Sequence, residues 1–275
     1  YPVVMRLSTP PAEVLDDRVS LPRGMALKVL GVEGPRVDGA EGGSSQDFLF
    51  VDGPVFSAPD AKGFLRTLKL LAGTTDKAPN AKRVLSGVLQ GVEKAVETFG
   101  GQSGTLIALG GHAETHPLGA TFFTQVPIRY GAYIAKLQLA PVSPALLALE
   151  NAPLDLAGKP DGTREAVADF IRANPAVWEL RVQLCVDLER MPVEDASVEW
   201  PQALSPFIAV ARITADPQEG WSEALAREID DGMAFNPWHA LAAHRPLGNV
   251  MRARKAAYAA SSDYRSERNG CPLHR

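Results

Sequence analysis

Residues 235–265, FNPWHALAAHRPLGNVMRARKAAYAASSDYR, decide how the rest of this chain is read. At helical spacing from Asn249 onward, the stretch places Arg254, Tyr258, Ser261 or Ser262, and Arg265 on one stripe, at offsets of four, seven and eleven residues. That stripe is polar where a buried helix face is ordinarily apolar. A phenol with a guanidinium one turn before it has a specific use. Tyr ligates a ferric ion only as the phenolate, its free group titrating near ~10, and a cation beside it favours the charged form.

The N-terminal end carries two further blocks. Met5-Arg6-Leu7-Ser8-Thr9 reads as a strand, and Leu21-Pro22-Arg23-Gly24-Met25-Ala26-Leu27-Lys28-Val29 follows it. Arg-x-x-x-Tyr with Arg seven residues later, downstream of Phe235-Asn236-Pro237, resembles the proximal haem site of the catalases, a family with Tyr-ligated haem iron. The first N-terminal block is similar to that family's Arg-Phe-Ser-Thr strand, and the second to its Pro-Arg-Gly-Phe-Ala-x-Lys segment. With Ser44 to Phe56, these blocks span both ends of the chain in matching order. The resemblance is to short, catalase-related haem peroxidases of the bacterial branch without a large catalase's extra domains.

The resemblance implies an α+β fold: an antiparallel β-barrel with a helical insertion and a C-terminal helix contacting haem b (iron protoporphyrin IX). It implies that Tyr258 is the iron ligand, with Arg254 holding its phenolate charged. It implies that Arg6 and Arg265 pair with haem propionates, Arg265 lying about 10 Å along the helix from Tyr258 by its rise. Phe235 lies against the proximal face and Phe56 stacks on the distal face. Ser8 hydrogen-bonds the distal His, and the family's distal Asn falls on Ser44, or on Ser45 if the register slips by one. A hydroxyl there positions peroxide less firmly than an amide, which favours peroxidase-like chemistry over full catalase turnover.

The chain opens at Tyr1 within an apolar run, without an initiator Met. It is therefore expected to be a single catalase-like domain, residues 1–275, incomplete at its N-terminus. In the family, the upstream segment carries the distal His, the general acid-base of peroxide cleavage, and a first propionate Arg.

The bulk numbers are those of an ordinary globular chain of 275 residues, 45% hydrophobic and 22% charged. A net charge of −4 gives no electrostatic case for nucleic acid or anionic membrane. No apolar run approaches the ~20 residues of a spanning helix. Cys185 and Cys271 form no metal or redox spacing and read as a buried thiol and a tail thiol. The compartment, cytoplasm or periplasm, stays open, and a homo-oligomer is among the expectations.

Between the two ends, strands are expected at Val3–Leu7, Met25–Leu30, within Gln46–Phe56, and at Thr105–Leu109, Ala120–Gln125, Tyr133–Leu139, Val177–Leu184 and Ser205–Ile213. Helices are expected at Ala61–Ala72, Asn80–Phe99 and Thr163–Ala173, the last ended by Asn174-Pro175. Trp200 and Trp221 read as packing anchors. His112-Ala113-Glu114-Thr115-His116 has the wrong order for a His-Glu-x-x-His zinc helix and is flanked by Gly and Pro, so structural hydrogen bonding is the expectation. His239 and His244 match no ligand of the resembled family, and His244, next to Arg245 and Pro246, reads as a capping or surface residue.

The implied function is haem-dependent reduction of hydrogen peroxide or an organic hydroperoxide, a second peroxide or a small-molecule donor supplying the electrons. Two alternatives use the same proximal site: rearrangement of a fatty-acid hydroperoxide, as in allene oxide formation, and a non-catalytic haem-binding barrel.

Overall fold

The computed structural model of the chain describes residues 1–9, 17, 22–66, 69 and 114–269. Eight strands form one sheet: β1 (Val3–Ser8), β2 (Gly24–Leu30), β3 (Ser45–Val51), β4 (Phe122–Phe123), β5 (Ile128–Tyr130), β6 (Tyr133–Pro141), β7 (Ala176–Leu184) and β8 (Ile208–Ala215). The order is β1-β2-β3-β4-β6-β7-β8, with β5 paired to β6. Every pairing is antiparallel, and the sheet curls into a half-barrel with β1 and β8 at its two edges. The expected barrel is thus present as a curled sheet, and the described residues do not hydrogen-bond its edges to each other.

Strand alternation gives the sheet two unlike faces. Successive side chains point to opposite sides, and the register places Met5, Leu27 and Phe48 in one row. Met25 and Phe50 fall in the next row, and Leu139, Leu180 and Ala211 lie on the same face across the sheet. That face is the core. Phe50, Phe122, Leu137, Leu139 and Trp178 are almost wholly buried in it. Each such side chain contributes about 1.5–3 kcal/mol by leaving water. Helix α1 (Gly162–Ala173) packs on this side through Val167, Phe170 and Ile171. Its first turn is tied by Thr163 N–H to Asp17 Oδ2 at 2.8 Å, and Asn174 Nδ2 donates to Phe170 O at 3.1 Å where it ends.

The other face is polar, and the site stands on it. Arg6, Ser8, Lys28 and Asp47 project from it at one end, and Lys136, Gln138, Arg181 and Gln183 at the other. Helix α2 (Gly248–Asn269) follows the segment 235–247. Its start is fixed twice over. Gly248 has φ 84°, and a Cβ there would collide with Val193 O. Asn249 then accepts Ala61 N–H at 3.0 Å and gives its own N–H to Glu194 at 2.8 Å, while Arg252 pairs with Glu194 at 2.9 Å.

The strands and helices expected from periodicity are present with ends moved by one to three residues wherever they are described. The strand expected across Ala120–Gln125 shortens to Phe122–Phe123, and β5 was not expected. β5 exists because Gly131, at φ 61°, lets Tyr130 and Tyr133 pair around a two-residue turn. Residues 61–66 are helical. The helix expected at 80–99, the strand at 105–109, His112 and Cys271 lie outside the described residues. No helix among the described residues is long and apolar enough to cross a membrane.

Candidate functional site

The inward stripe of α2 is the polar one read from the sequence. Arg254, Tyr258, Ser262 and Arg265 are half-buried, whereas Ala253, Ala257 and Ser261 are exposed. Ser262 rather than Ser261 therefore continues the stripe. Arg254 Nη2 donates to Tyr258 Oη at 2.7 Å, and the guanidinium carbon sits 5.0 Å from the centre of the phenol ring. A guanidinium donating to a phenol oxygen is a charge-assisted hydrogen bond, shorter and stronger than a neutral one.

About two turns further on, α2 and β1 both reach residue 230. Arg265 Nη1 donates to Asp230 O at 3.3 Å, and Arg6 Nη1 lies 3.4 Å from Asp230 Oδ1. Two cations 259 positions apart in the chain therefore converge on one residue. Arg6 also stands over the ring of Phe235, 5.1 Å from its centre. The Nε–H groups of both arginines are buried and have no hydrogen-bond partner among the described residues. A buried donor left unmatched is rare, because it has given up water for nothing. Two of them, on guanidinium groups that both reach Asp230, mark a place suited to acceptor oxygens.

The segment 235–244 is held to the sheet by a network that periodicity does not reveal. Asp47, whose side chain is fully buried, accepts Lys28 Nζ at 2.7 and 2.8 Å and Asn236 N–H at 2.9 Å, and lies 3.1 Å from His239 Nδ1. Lys28 also faces the Phe235 ring at 5.3 Å. Next to it, Gln46 Oε1 accepts Leu241 N–H at 2.9 Å. Thus β2 and β3 pin the backbone that carries Phe235 and leads into α2. Trp238 Nε1 donates to Met251 O at 2.9 Å, tying the same segment to the helix's first turns. Lys28 belongs to a motif noted in the sequence; Asp47 and His239 acquire meaning only from a contact between residues 192 positions apart.

Other expected site residues are placed differently. Ser8 is exposed and level with Gly24, where a Cβ would lie 2.9 Å from Ser8 Oγ, so this Gly makes room for that hydroxyl. The β2–β3 register continues the row from Gly24 to Val51. Ser44 is seven positions away along the strand direction, roughly 20 Å at the rise of extended chain. Val51, not Ser44, stands at the level of Ser8. Ser44 is exposed, its carbonyl accepting Val32 N–H, while Ser45 Oγ accepts Lys28 Nζ at 3.3 Å.

Phe56 packs against Val126, Ala196, Val250 and Met251 and sits 4.7 Å from the Phe64 ring, in a second apolar cluster at the root of α2. His244 is not a surface residue. It stacks on Tyr130 at 5.8 Å and lies 3.4 Å from Gln46 Oε1, and burial lowers its pKa. His116 caps the turn 117–119 by accepting Leu118 N–H on Nδ1, and desolvation lowers its pKa as well. That is the structural hydrogen bonding expected of it. No cluster of metal-ligating His, Cys, Asp and Glu occurs among the described residues. Trp200 is a buried anchor, donating to Pro192 O, whereas Trp221 is at the surface beneath Arg164.

No protein-family model matches the sequence, and no curated protein is similar to it. Solved structures are similar to it in fold. A fungal catalase matches 96% of this chain with a TM-score of 0.66 at 18% identity. Catalase A from Saccharomyces cerevisiae matches with a TM-score of 0.67 at 18% identity, and a bacterial catalase with 0.63 at 16%. The chain spans about half the length of these catalases, 51%, 53% and 50% of each. The chain has the catalase fold.

Proposed function

We propose that this chain is the haem-holding part of a catalase-related peroxidase that reduces hydrogen peroxide or an organic hydroperoxide. The observation that carries the reading is the pairing of Arg254 with the Tyr258 oxygen at 2.7 Å, on the same helix face that delivers Arg265 to Arg6. The residues present fit haem b. At one end is a phenol oxygen with a cationic donor; at the other are two guanidinium groups with buried, unmatched N–H donors, suited to two propionates.

Haem would be held by Tyr258 as iron ligand and by Arg6 and Arg265 as propionate partners, and when bound it supplies the redox-active iron at which peroxide is reduced. The chain's own residues do the placing. Arg254 shares the negative charge of the Tyr258 oxygen and so tempers how strongly it donates. Phe235 steadies the Arg6 guanidinium, and the Lys28–Asp47–His239 network fixes the backbone on which Phe235 stands. Ser8 offers a hydroxyl at the edge of β1, as an orienting partner for a general acid-base.

The test is to add hemin to the purified chain and assay it with hydrogen peroxide and with an organic hydroperoxide, each with and without a reducing donor. Donor-dependent peroxide loss is the expected result; a chain that takes up no hemin ends the proposal. A second reading, rearrangement of a fatty-acid hydroperoxide, draws support from Val51. An apolar side chain level with Ser8 offers no amide to orient peroxide. Isomerised lipid products formed without any donor would establish it.

A further inference from the structure

The Asp230 carboxylate makes the wrong kind of contact with Arg6 for a permanent partner. An Arg–carboxylate pair built for stability is a short, forked contact of about 2.7–2.9 Å. Asp230 instead makes one contact of 3.4 Å to Arg6 through Oδ1, and only its backbone carbonyl reaches Arg265. Its side chain is 55% exposed, whereas the Arg6 and Arg265 Nε–H groups are buried and unmatched. One residue, its carboxylate loosely held, thus meets two cations without satisfying the Nε–H of either. Asp230 also sits in a π-helical turn, Arg227–Asp231, a wide and uncommon geometry frequent at functional sites. The turn closes at Gly232, where a Cβ would run into Glu228 O.

We infer that Asp230 is a built-in competitor for the Arg6–Arg265 pair, occupying it in the ligand-free chain and giving way to the carboxylate of an incoming ligand. Asp230 therefore sets the affinity for carboxylate-bearing porphyrins downward and leaves that for ligands without carboxylates untouched. The inference rests on the haem reading above. In the free chain Arg6 meets the Asp230 carboxylate and Arg265 the carbonyl of the same residue; in the loaded chain carboxylates of the ligand take both places.

The test compares the wild-type chain with Asp230→Asn and Asp230→Ala, titrated with hemin and with hemin dimethyl ester, whose carboxylates are masked. Binding is read by absorbance, and thermal melts confirm that each variant is folded. Removing a part-exposed anion from an ion pair should tighten hemin binding about two- to fivefold, while ester binding stays equal to wild type. Unchanged or weaker hemin binding by both variants overturns the inference, as does an equal gain for the ester. If the wild-type chain binds hemin and only the predicted gain is missing, the haem reading survives. If no chain binds hemin, that reading falls and this one with it.

Discussion

The two faces of the curled sheet are held by different physics. On one, Phe50, Phe122, Leu137, Leu139 and Trp178 are buried against α1, and the gain is non-directional burial spread over many contacts. On the other, Arg6, Lys28, Asp47 and Lys136 are held by single, directed bonds to distant segments. Two lysines on that polar face sharpen the contrast. Lys28 and Lys136 are both buried and both stand over an aromatic ring, Phe235 at 5.3 Å and Trp200 at 5.0 Å. Lys28 meets a fully buried carboxylate, whereas Lys136 Nζ donates to a carbonyl, Val198 O, at 3.1 Å. Burial pushes the Lys136 amine down to about 8, with Glu199 and Asp195 opposing. The apolar face makes the chain stable; the polar face decides where α2 stands.

The largest effect should come from breaking the apolar face. Phe122→Ala removes a side chain with no exposure, at an expected cost of about 3–5 kcal/mol in urea unfolding. A loss below about 1 kcal/mol would show that this face is not the core. On the polar face, Asp47→Ala strands Lys28 in the interior and frees Asn236 N–H and His239. It should cost about 3 kcal/mol, much of it recovered in Lys28→Met with Asp47→Leu, because well-packed apolar side chains replace a buried pair at little cost. If the double variant is as unstable as the single one, the network is more than a charge pair.

A smaller effect, visible only as a slope, belongs to Lys136. Its folded pKa lies below the free value of 10.5, so between about pH 8 and 10.5 the unfolded chain holds a proton that the folded chain has lost. Stability should rise with pH across that window, by an amount on the order of 3 kcal/mol, and the burial penalty is fully present below about pH 8. Lys136→Met should abolish that share of the rise, as unfolding midpoints taken from pH 7.5 to 10.5 would show. A profile identical to wild type would mean that the buried amine is not the source.

How much of this was legible follows from the same contrast. Alternation along β1, β2, β6 and β7 is visible because one face is apolar, and it located those strands to within a residue or two. The stripe Arg254–Tyr258–Arg265 was legible because it is local, fixed by helical spacing alone. Pairings across the fold were not. The contact from Asp47 to Asn236 spans 189 residues and leaves no periodic trace. Asp230 sits in an acidic turn whose spacing matches nothing in β1 or α2. The Gly-rich stretch before β3 hides the hairpin's register, and only in the structure is it visible that Val51 rather than Ser44 stands level with Ser8. His244 reads as superficial beside Arg245 and Pro246, and contacts with Gln46, Phe48 and Tyr130 half-bury it.

The most direct test of the account is the absorption spectrum of the hemin-loaded chain, wild type beside Tyr258→Phe, with Arg254 left in place. The account predicts the spectrum of tyrosinate-ligated ferric haem in the wild type and its loss or replacement in the variant. Identical spectra from the two chains would contradict it, because the phenol oxygen 2.7 Å from Arg254 would then not be the atom that meets iron.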